Sequence, residues 1–146
     1  MNIRAETSQL VRAEPKKVME VTSYENIPKW AKKFKDLEVI GREGNVVTAR
    51  LETRVMGIPF TATVTGEWQE DRVIEDIRLS DGTVTSEMVV YRAVPEGTMV
   101  EWTGHIVERG KWTRLFGPLM GRFFALDVKN DFKKLARYAE SLDSRS

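Results

Sequence analysis

The chain has 146 residues, a formal net charge of +1 and no cysteine, with 41% apolar and 31% charged residues. This length predicts a single domain over residues 1–146, and the small net charge argues against a nucleic-acid partner attracted by whole-protein charge. The lack of cysteine excludes disulfides and thiol chemistry and favours a cytoplasmic location, and no apolar run approaches the roughly 18 residues of a membrane span.

The first third of the chain predicts one strand and two short helices. Polar and apolar residues alternate over residues 1–13, as in a strand with one face turned inward. Pro15 opens a short helical stretch, and Ser23 is placed to cap a second one, with Pro28 in its first turn. The apolar residues of the second stretch are Ile27, Trp30, Ala31 and Phe34.

From residue 37 to residue 107 the pattern has a period of two, which predicts six antiparallel strands joined by hairpins. Asp81-Gly82 is the clearest turn signal, and we interpret it as a two-residue type I′ loop with positive φ at both positions. The other turn signals are Glu43-Gly44-Asn45, Gly57-Ile58, Glu70-Asp71 and Pro95-Glu96-Gly97.

The predicted loop lengths fix the register, and the register decides which side chains share the inner face of the sheet. Thr63, Thr65, Arg78 and His105 are expected to face solvent, with His105 opposite Glu87. The inner face is expected to carry Leu51, Thr53, Phe60, Val64, Trp68, Glu75, Ile77, Ser86, Met88, Val90, Arg92 and Trp102.

Two of the polar inner positions have alternatives. A local register slip would turn Ile74 inward in place of Glu75, and Arg92 could reach solvent from its strand end. Gly66 and Gly104 flank the row that holds Glu75, where glycine either permits strong curvature or leaves room above the sheet.

The last part of the chain predicts a long amphipathic helix from Pro118 to Leu142, with Trp112 in the connection that leads to it. A curved sheet wrapped around this helix, with the first strand paired to the last, gives an α+β fold of about seven strands. Polar inner residues are inexpensive if a cavity lies between sheet and helix. Besides the inner residues of the sheet, we expect this cavity to be lined by Trp30, Phe34, Phe116, Met120, Phe123, Phe124 and Val128.

Four segments resemble the helix-grip superfamily (SRPBCC), which includes START lipid-transfer domains, the birch-pollen allergen and polyketide cyclases. They are residues 13–18, 23–30, 37–39 and 95–102, and the resemblance covers nearly the whole chain. The chain is most similar to the polyketide cyclase/dehydrase group and is close to coenzyme-Q-binding START-like proteins. Ser23 and Ile27 stand where that group often has Asp and Tyr. The resemblance implies a helix-grip fold, and no catalytic residue of the cyclases maps onto this sequence.

Three functions follow as hypotheses. The favoured one is binding or transport of a hydrophobic small molecule, such as a lipid, a quinone or a polyketide-like ring system, because it requires only the cavity. The second is a cyclase or dehydratase in which Glu75 or Arg92 steers the substrate. The third is a macromolecular interaction module, as ribosome- or chaperone-associated relatives imply. One histidine and no cysteine remove the common triads and most metal sites, so we predict no catalytic residue, metal or cofactor. The sequence does not indicate an oligomeric state.

Overall fold

The computed structural model describes residues 4–55 and 57–143, and the side chains of Val55, Pro118, Met120, Phe124 and Asp143 lie outside this description. In chain order its elements are β1 (Arg4–Val11), α1 (Pro15–Val21), two 3₁₀ turns (Ile27–Lys29 and Lys32–Phe34), β2 (Glu38–Glu43), β3 (Val46–Val55), β4 (Ile58–Trp68), β5 (Arg72–Leu79), β6 (Val84–Val94), β7 (Gly97–Glu108) and α2 (Lys111–Asp143).

The seven strands form one antiparallel sheet in the order β1-β7-β6-β5-β4-β3-β2. The first strand therefore pairs with the last, as predicted, while β1 and β2 remain edges and the sheet is not closed. Helix α2 packs through Leu135, Ala136 and Ala139 against inner side chains of β5, β6 and β7. This arrangement confirms the predicted α+β helix-grip fold.

The segment between α1 and β2 is less helical than predicted. Two 3₁₀ turns replace the expected second helix, and the Ser23 hydroxyl donates to the Glu20 carbonyl (2.8 Å) at the end of α1 instead of capping a following helix. Ser23 accepts from the backbone N–H groups of Asn26 and Ile27 through its own carbonyl. The prediction of Ser23 as an N-cap was therefore wrong.

The buried side chains form two clusters. One surrounds α2 and includes Val11, Val18, Val73, Val89, Tyr91, Val100, Trp102 and Leu135. The other lies over β3 and β4 and includes Tyr24, Val47, Ala49, Leu51, Phe60, Ala62, Val64 and Leu79. Trp68 packs against both clusters, and the space between them is the cavity described below.

The loop between β5 and β6 has three residues, Ser80 to Gly82, and not the predicted two. The Leu79 N–H donates to the Thr83 carbonyl (2.8 Å), and the Gly82 N–H donates back to the Leu79 carbonyl (3.0 Å). Gly82 has a φ of 95°, as in three-residue hairpin loops that end in a left-handed residue. The extra residue shifts the register by one position.

This shift turns β6 over, because neighbouring residues of a strand point to opposite faces. Asp76 pairs with Ser86, and Ile74 pairs with Met88, on the outer face of the sheet. The prediction that Ser86, Met88, Val90 and Arg92 face inward was therefore wrong. Thr85, Glu87, Val89 and Tyr91 face inward instead.

The β6–β7 loop is one residue shorter than predicted, whereas the β5–β6 loop is one residue longer. The two differences cancel, so β7 has the predicted orientation. Val94 pairs with Gly97, which leaves a two-residue loop where we predicted three. Trp102 consequently faces inward and His105 is exposed, as expected, although His105 lies opposite Ser86 and not Glu87. At the β3–β4 hairpin the Gly57-Ile58 loop predicts that Thr53 lies opposite Ala62, whereas it lies opposite Phe60. A shift of two residues preserves the faces.

Helix α2 begins at Lys111, seven residues before the predicted start at Pro118, so Trp112 lies in its first turn. The reason is a capping group from a distant loop. The Trp112 N–H donates to Asp81 Oδ2 (3.1 Å), and the Lys111 N–H donates to the Asp81 carbonyl (3.3 Å). These bonds satisfy donors that are unpaired at any helix N-terminus. Within the described ranges, no helix combines the length and apolar character that crossing a membrane requires.

We refer to Asp81, Thr83, Gly110, Trp112 and Thr113 as the helix-start cluster. The buried Thr83 hydroxyl donates to Asp81 Oδ2 (3.0 Å) and accepts from the Gly110 N–H (3.1 Å), while the Thr113 hydroxyl donates to Thr83 (2.8 Å). A Cβ at position 110 would lie 2.5 Å from the Asp81 carbonyl oxygen, so glycine is required there. The cluster joins the β5–β6 loop to the first turn of α2.

Candidate functional site

A cavity of about 230 Å³ lies between the inner face of the sheet and α2. Of the residues predicted to line it, the structure brings together Trp30, Phe34, Leu51, Thr53, Val64, Trp68, Glu75, Ile77, Trp102 and Val128. The prediction missed Thr22, Tyr24, Ile27, Lys33, Leu37, Arg54, Ala62, Val73, Leu79, Glu87, Val89, Tyr91, Asp127, Asp131, Phe132 and Leu135. The walls are therefore mainly aliphatic and aromatic, with a few polar groups.

The remaining predicted residues lie elsewhere. Phe60 is buried in the β3–β4 cluster beside the cavity, and Phe116 and Phe123 lie on the exposed side of α2. The side chains of Met120 and Phe124 are outside the described part of the chain. The four predicted residues of β6, Ser86, Met88, Val90 and Arg92, lie on the outer face.

The side chain of Arg92 reaches solvent, which was one of the alternatives considered above. Its Nε donates to Glu101 Oε1 (2.7 Å) in an exposed ion pair on the outer face. It therefore reaches solvent and cannot orient a molecule in the cavity. Whether the residues that do line the cavity contact a ligand stays a prediction.

Two glutamates lie side by side on the floor of the cavity. Gly104, Glu87, Glu75 and Gly66 pair directly with one another across β7, β6, β5 and β4. Directly paired residues of an antiparallel sheet have Cβ atoms about 4.5–5.5 Å apart, so the two carboxyl groups are close neighbours. Ile74 is 37% exposed, so the alternative with Ile74 inward was wrong.

Tyr24 holds the Glu75 carboxyl group in place. Its hydroxyl donates to Glu75 Oε2. A Cβ at position 66 would lie 2.2 Å from the Tyr24 hydroxyl oxygen, so the lack of a side chain at Gly66 admits this tyrosine. The Tyr24 ring also meets Trp68 edge to face, with ring centroids 5.7 Å apart.

Glu87 is held in an equivalent way on the other side of the row. Trp102 Nε1 donates to Glu87 Oε1 (2.7 Å), and the Thr85 hydroxyl donates to Glu87 Oε2 (3.1 Å). A Cβ at Gly104 would lie 2.6 Å from the Trp102 ring. Gly66 and Gly104 therefore both leave room for an aromatic donor, which answers the question that the sequence left open.

The glutamate pair does not carry two full charges near neutral pH. Burial raises the pKa of Glu75 to about 7, and the nearby charge of Glu87 acts in the same direction, while the hydrogen bond from Tyr24 opposes both. Burial also raises the pKa of Glu87, but the donors Trp102 and Thr85 stabilise its carboxylate form. The pKa values of both groups are therefore raised, and Glu75 retains its proton up to a pH of about 7.

Several other polar groups of the cavity are paired within the protein. The Thr22 hydroxyl donates to the Met19 carbonyl (3.0 Å) and accepts from the Tyr91 hydroxyl (2.8 Å), and Trp30 Nε1 donates to the Val21 carbonyl (3.0 Å). Burial raises the pKa of Tyr91, so this phenol stays neutral. The two glutamates keep acceptor positions that are open to a ligand.

The charged lining residues mark the side where the cavity meets solvent. Lys33 and Arg54 are exposed, and Lys33 Nζ lies 3.0 Å from Asp131 Oδ2. Burial raises the pKa of Asp131, and the charge and hydrogen bond of Lys33 oppose that shift. Among the described residues, His, Asp and Glu do not form a group of three that could hold a metal ion.

The two residues most important for the chemistry, Glu87 and Tyr24, were missed for different reasons. Glu87 was assigned to the outer face by the wrong length of the β5–β6 loop. Reading that loop as three residues would have placed Glu87 opposite Glu75, and reading the β6–β7 loop as two residues would have placed it opposite Gly104. Tyr24 lies in an irregular segment, where no periodic pattern indicates which way a side chain points.

Comparison with known proteins gives a consistent picture. The family model described as polyketide cyclase/dehydrase and lipid transport matches residues 2–140. A search of curated proteins finds no match.

Solved structures with the same fold are numerous, although their sequences are distant. The crystal structure of TTHA0849 from Thermus thermophilus has a TM-score of 0.77 at 22% identity, covering 97% of this chain and 99% of that one. A START superfamily protein from Mycobacterium smegmatis has a TM-score of 0.75 at 13% identity, covering 95% and 98%. The Zhui aromatase/cyclase from Streptomyces sp. R1128 has a TM-score of 0.72 at 16% identity, covering 96% and 94%. The predicted closeness to coenzyme-Q-binding proteins stays a prediction.

Proposed function

Because this chain belongs to the polyketide cyclase/dehydrase and lipid transport family, we propose that it binds a small apolar molecule in the cavity between sheet and helix. The observation that carries this proposal is the cavity itself, with mainly apolar walls and a glutamate pair on its floor. A few fixed polar groups in an apolar pocket are typical of sites that orient a ligand by one end.

The volume limits the size of the ligand. An apolar cavity of about 150 Å³ is known to bind benzene. At about 230 Å³ the cavity described here has room for a fused ring system or a short chain. A complete two-chain phospholipid exceeds this space.

The glutamate pair limits the chemistry of the polar end. Glu87 lies beside Glu75, and its charge helps to raise the pKa of Glu75, so the pair places negative charge at the cavity floor. A ligand carboxylate would be repelled there, whereas a hydroxyl or ammonium group can donate to the free acceptor positions. We therefore favour a hydroxylated ring or an apolar amine over a fatty acid.

Three probes with the same ring and different polar ends test this proposal. Protein stripped of co-purified molecules should bind 2-naphthol and 2-naphthylmethylamine, and should bind 2-naphthoate at least about tenfold more weakly. Titration calorimetry measures the three affinities, and native mass spectrometry of the protein before stripping reports any co-purified molecule. Failure of all three probes to bind, or a preference for 2-naphthoate, would contradict the proposal.

A pair of variants locates the binding site. Val89 lines the cavity and is 7% exposed, so Val89→Phe should fill part of the space and weaken naphthol binding at least about tenfold. The matched control is Val90→Phe, which adds the same ring on the outer face of the same strand. Equal binding by both variants would show that the probes bind elsewhere.

One observation favours a cyclase or dehydratase as the second candidate. A carboxyl group with a pKa of about 7, as for Glu75, suits a general base at neutral pH. Such a base would remove a proton from a carbon next to a carbonyl group of the bound molecule. Exchange of those protons with D₂O in bound 2-tetralone, followed by NMR and abolished by Glu75→Gln, would support this role.

A further inference from the structure

The outer side of the first half of α2 carries a continuous apolar stripe, formed by Leu115, Phe116, Leu119, Phe123 and Leu126. Their exposed fractions are 65%, 37%, 46%, 39% and 56%. At about 100° per residue they fall within an arc of about 100° on the helix. The stripe is extended by Trp112, whose ring stacks on Phe116 with a centroid distance of 6.2 Å and an interplanar angle of 9°.

The stripe is not part of the protein's own core. Among the side chains described in the same half of the helix, the buried ones are Thr113, Gly117 and Gly121, which lie on the opposite side of the helix and face the sheet. Exposed apolar side chains are common singly, but a continuous patch of this kind marks a surface that meets a partner.

The same outer side becomes cationic in the second half of the helix. Its exposed residues there include Lys129, Lys133, Lys134 and Arg137, which we call the basic cluster. Between residues 111 and 139 the acidic residues are Asp127 and Asp131, and both line the cavity on another side of the helix. The outer side thus presents an apolar stripe followed along the axis by the four positive charges of the basic cluster.

We propose that this side of α2 docks on the surface of a membrane that contains anionic lipids. Leucine and phenylalanine side chains enter the boundary between headgroups and acyl chains, while lysine and arginine contact anionic headgroups. Charge complementarity favours this partner over a second copy of the chain, which would present the same positive charge. The helix lies flat on the surface and keeps its opposite side packed on the sheet.

Vesicle flotation tests the proposal, with vesicles of phosphatidylcholine alone and of phosphatidylcholine with about 30 mol% phosphatidylserine. The protein should float with the anionic vesicles, and raising the salt from about 0.05 to about 0.5 M should weaken this binding. The double variant Leu119→Gln/Phe123→Gln should lower the partition coefficient at least about tenfold. Lys133→Gln/Arg137→Gln should lower it by a similar factor on anionic vesicles and leave phosphatidylcholine binding unchanged.

The matched control is Ile40→Gln, which removes an apolar side chain of β2 that is 55% exposed and distant in sequence from the stripe. It should bind vesicles like the wild type, and circular dichroism should show that all variants are folded. Light scattering measures the oligomeric state and so tests the competing interpretation, that the stripe joins two copies of the chain. If the wild type is a dimer that the stripe variant dissociates, and neither floats with vesicles, the stripe is a homodimer interface and the proposal is wrong. Equal flotation of wild type and stripe variant would also overturn it.

Discussion

Replacing Glu75 by Gln removes the titratable group from the cavity floor but keeps the shape of the side chain and an oxygen that can accept from Tyr24. The folded protein retains the Glu75 proton up to a pH of about 7, whereas an unperturbed glutamate releases it near 4.5. Between these values the native state binds more protons than the unfolded chain. The free energy of unfolding of the wild type should therefore fall as the pH rises through this window.

The difference between the two pKa values of Glu75 corresponds to about 3 kcal/mol, which is an upper estimate because the side chain is only partly buried. Below pH 4.5 the penalty is absent, and above pH 7 it is fully present. Glu75→Gln should thus gain stability relative to the wild type as the pH rises from about 5 to about 8, by an amount on the order of 2–3 kcal/mol.

Urea unfolding followed by tryptophan fluorescence measures both proteins across this range at constant ionic strength. The protein must first be stripped of any co-purified molecule, since a bound cation would lower the pKa of Glu75. Glu67→Gln is the matched control, because it removes the same charge from the exposed side of β4. If the curves of wild type and Glu75→Gln run parallel from about pH 5 to about pH 8, the reasoning about burial and the Glu87 charge is refuted.

Two further predictions concern the contacts that support the site. Asp81→Ala removes the acceptor of the Trp112 N–H and of the Thr83 hydroxyl, so the free energy of unfolding in urea should fall by at least about 1–2 kcal/mol and circular dichroism should show less helix. The control is Asp76→Ala, at an exposed position. An unchanged urea midpoint would show that the helix start does not depend on the Asp81 carboxylate. Gly66→Ala should lower the free energy of unfolding by about 1–3 kcal/mol because its Cβ meets the Tyr24 hydroxyl, and this loss should be smaller in a Tyr24→Phe background. An equal loss in both backgrounds would mean that the new methyl group collides with another part of the protein.

The faces of β4 and β7 could be predicted because apolar and polar side chains alternate there, and β5 follows the same alternation except where Ile74 and Glu75 exchange character. Strand β6 lacks that property, since both of its alternating sets mix apolar and polar residues. Its orientation therefore depended on one loop, and Asp81-Gly82 fits a two-residue or a three-residue loop equally well at the level of composition. A single residue of difference inverted the strand and hid Glu87, half of the polar floor of the cavity.

The start of α2 could not be predicted from its neighbours in the sequence. The residue that caps it, Asp81, precedes Trp112 by 31 positions and becomes available only through the folded β5–β6 loop. Local signals favoured Pro118, which suits the first turn of a helix. The partnership of Tyr24 with Glu75 is likewise a contact between residues 51 positions apart, without a local signature.

The helix-start cluster also constrains the order in which the molecule assembles. Its acceptors belong to a hairpin loop, so the first turn of α2 gains its capping bonds only after β5 and β6 have paired. Bringing Asp81 and Trp112 together closes a loop of about 30 residues, which costs more chain entropy than closing the β5–β6 hairpin. The contact between them should therefore form more slowly than the hairpin. The second half of the helix, with Leu135 and Ala139 buried, does not use these bonds. Sheet pairing should therefore precede completion of the helix, and the Lys111 end of α2 should form last.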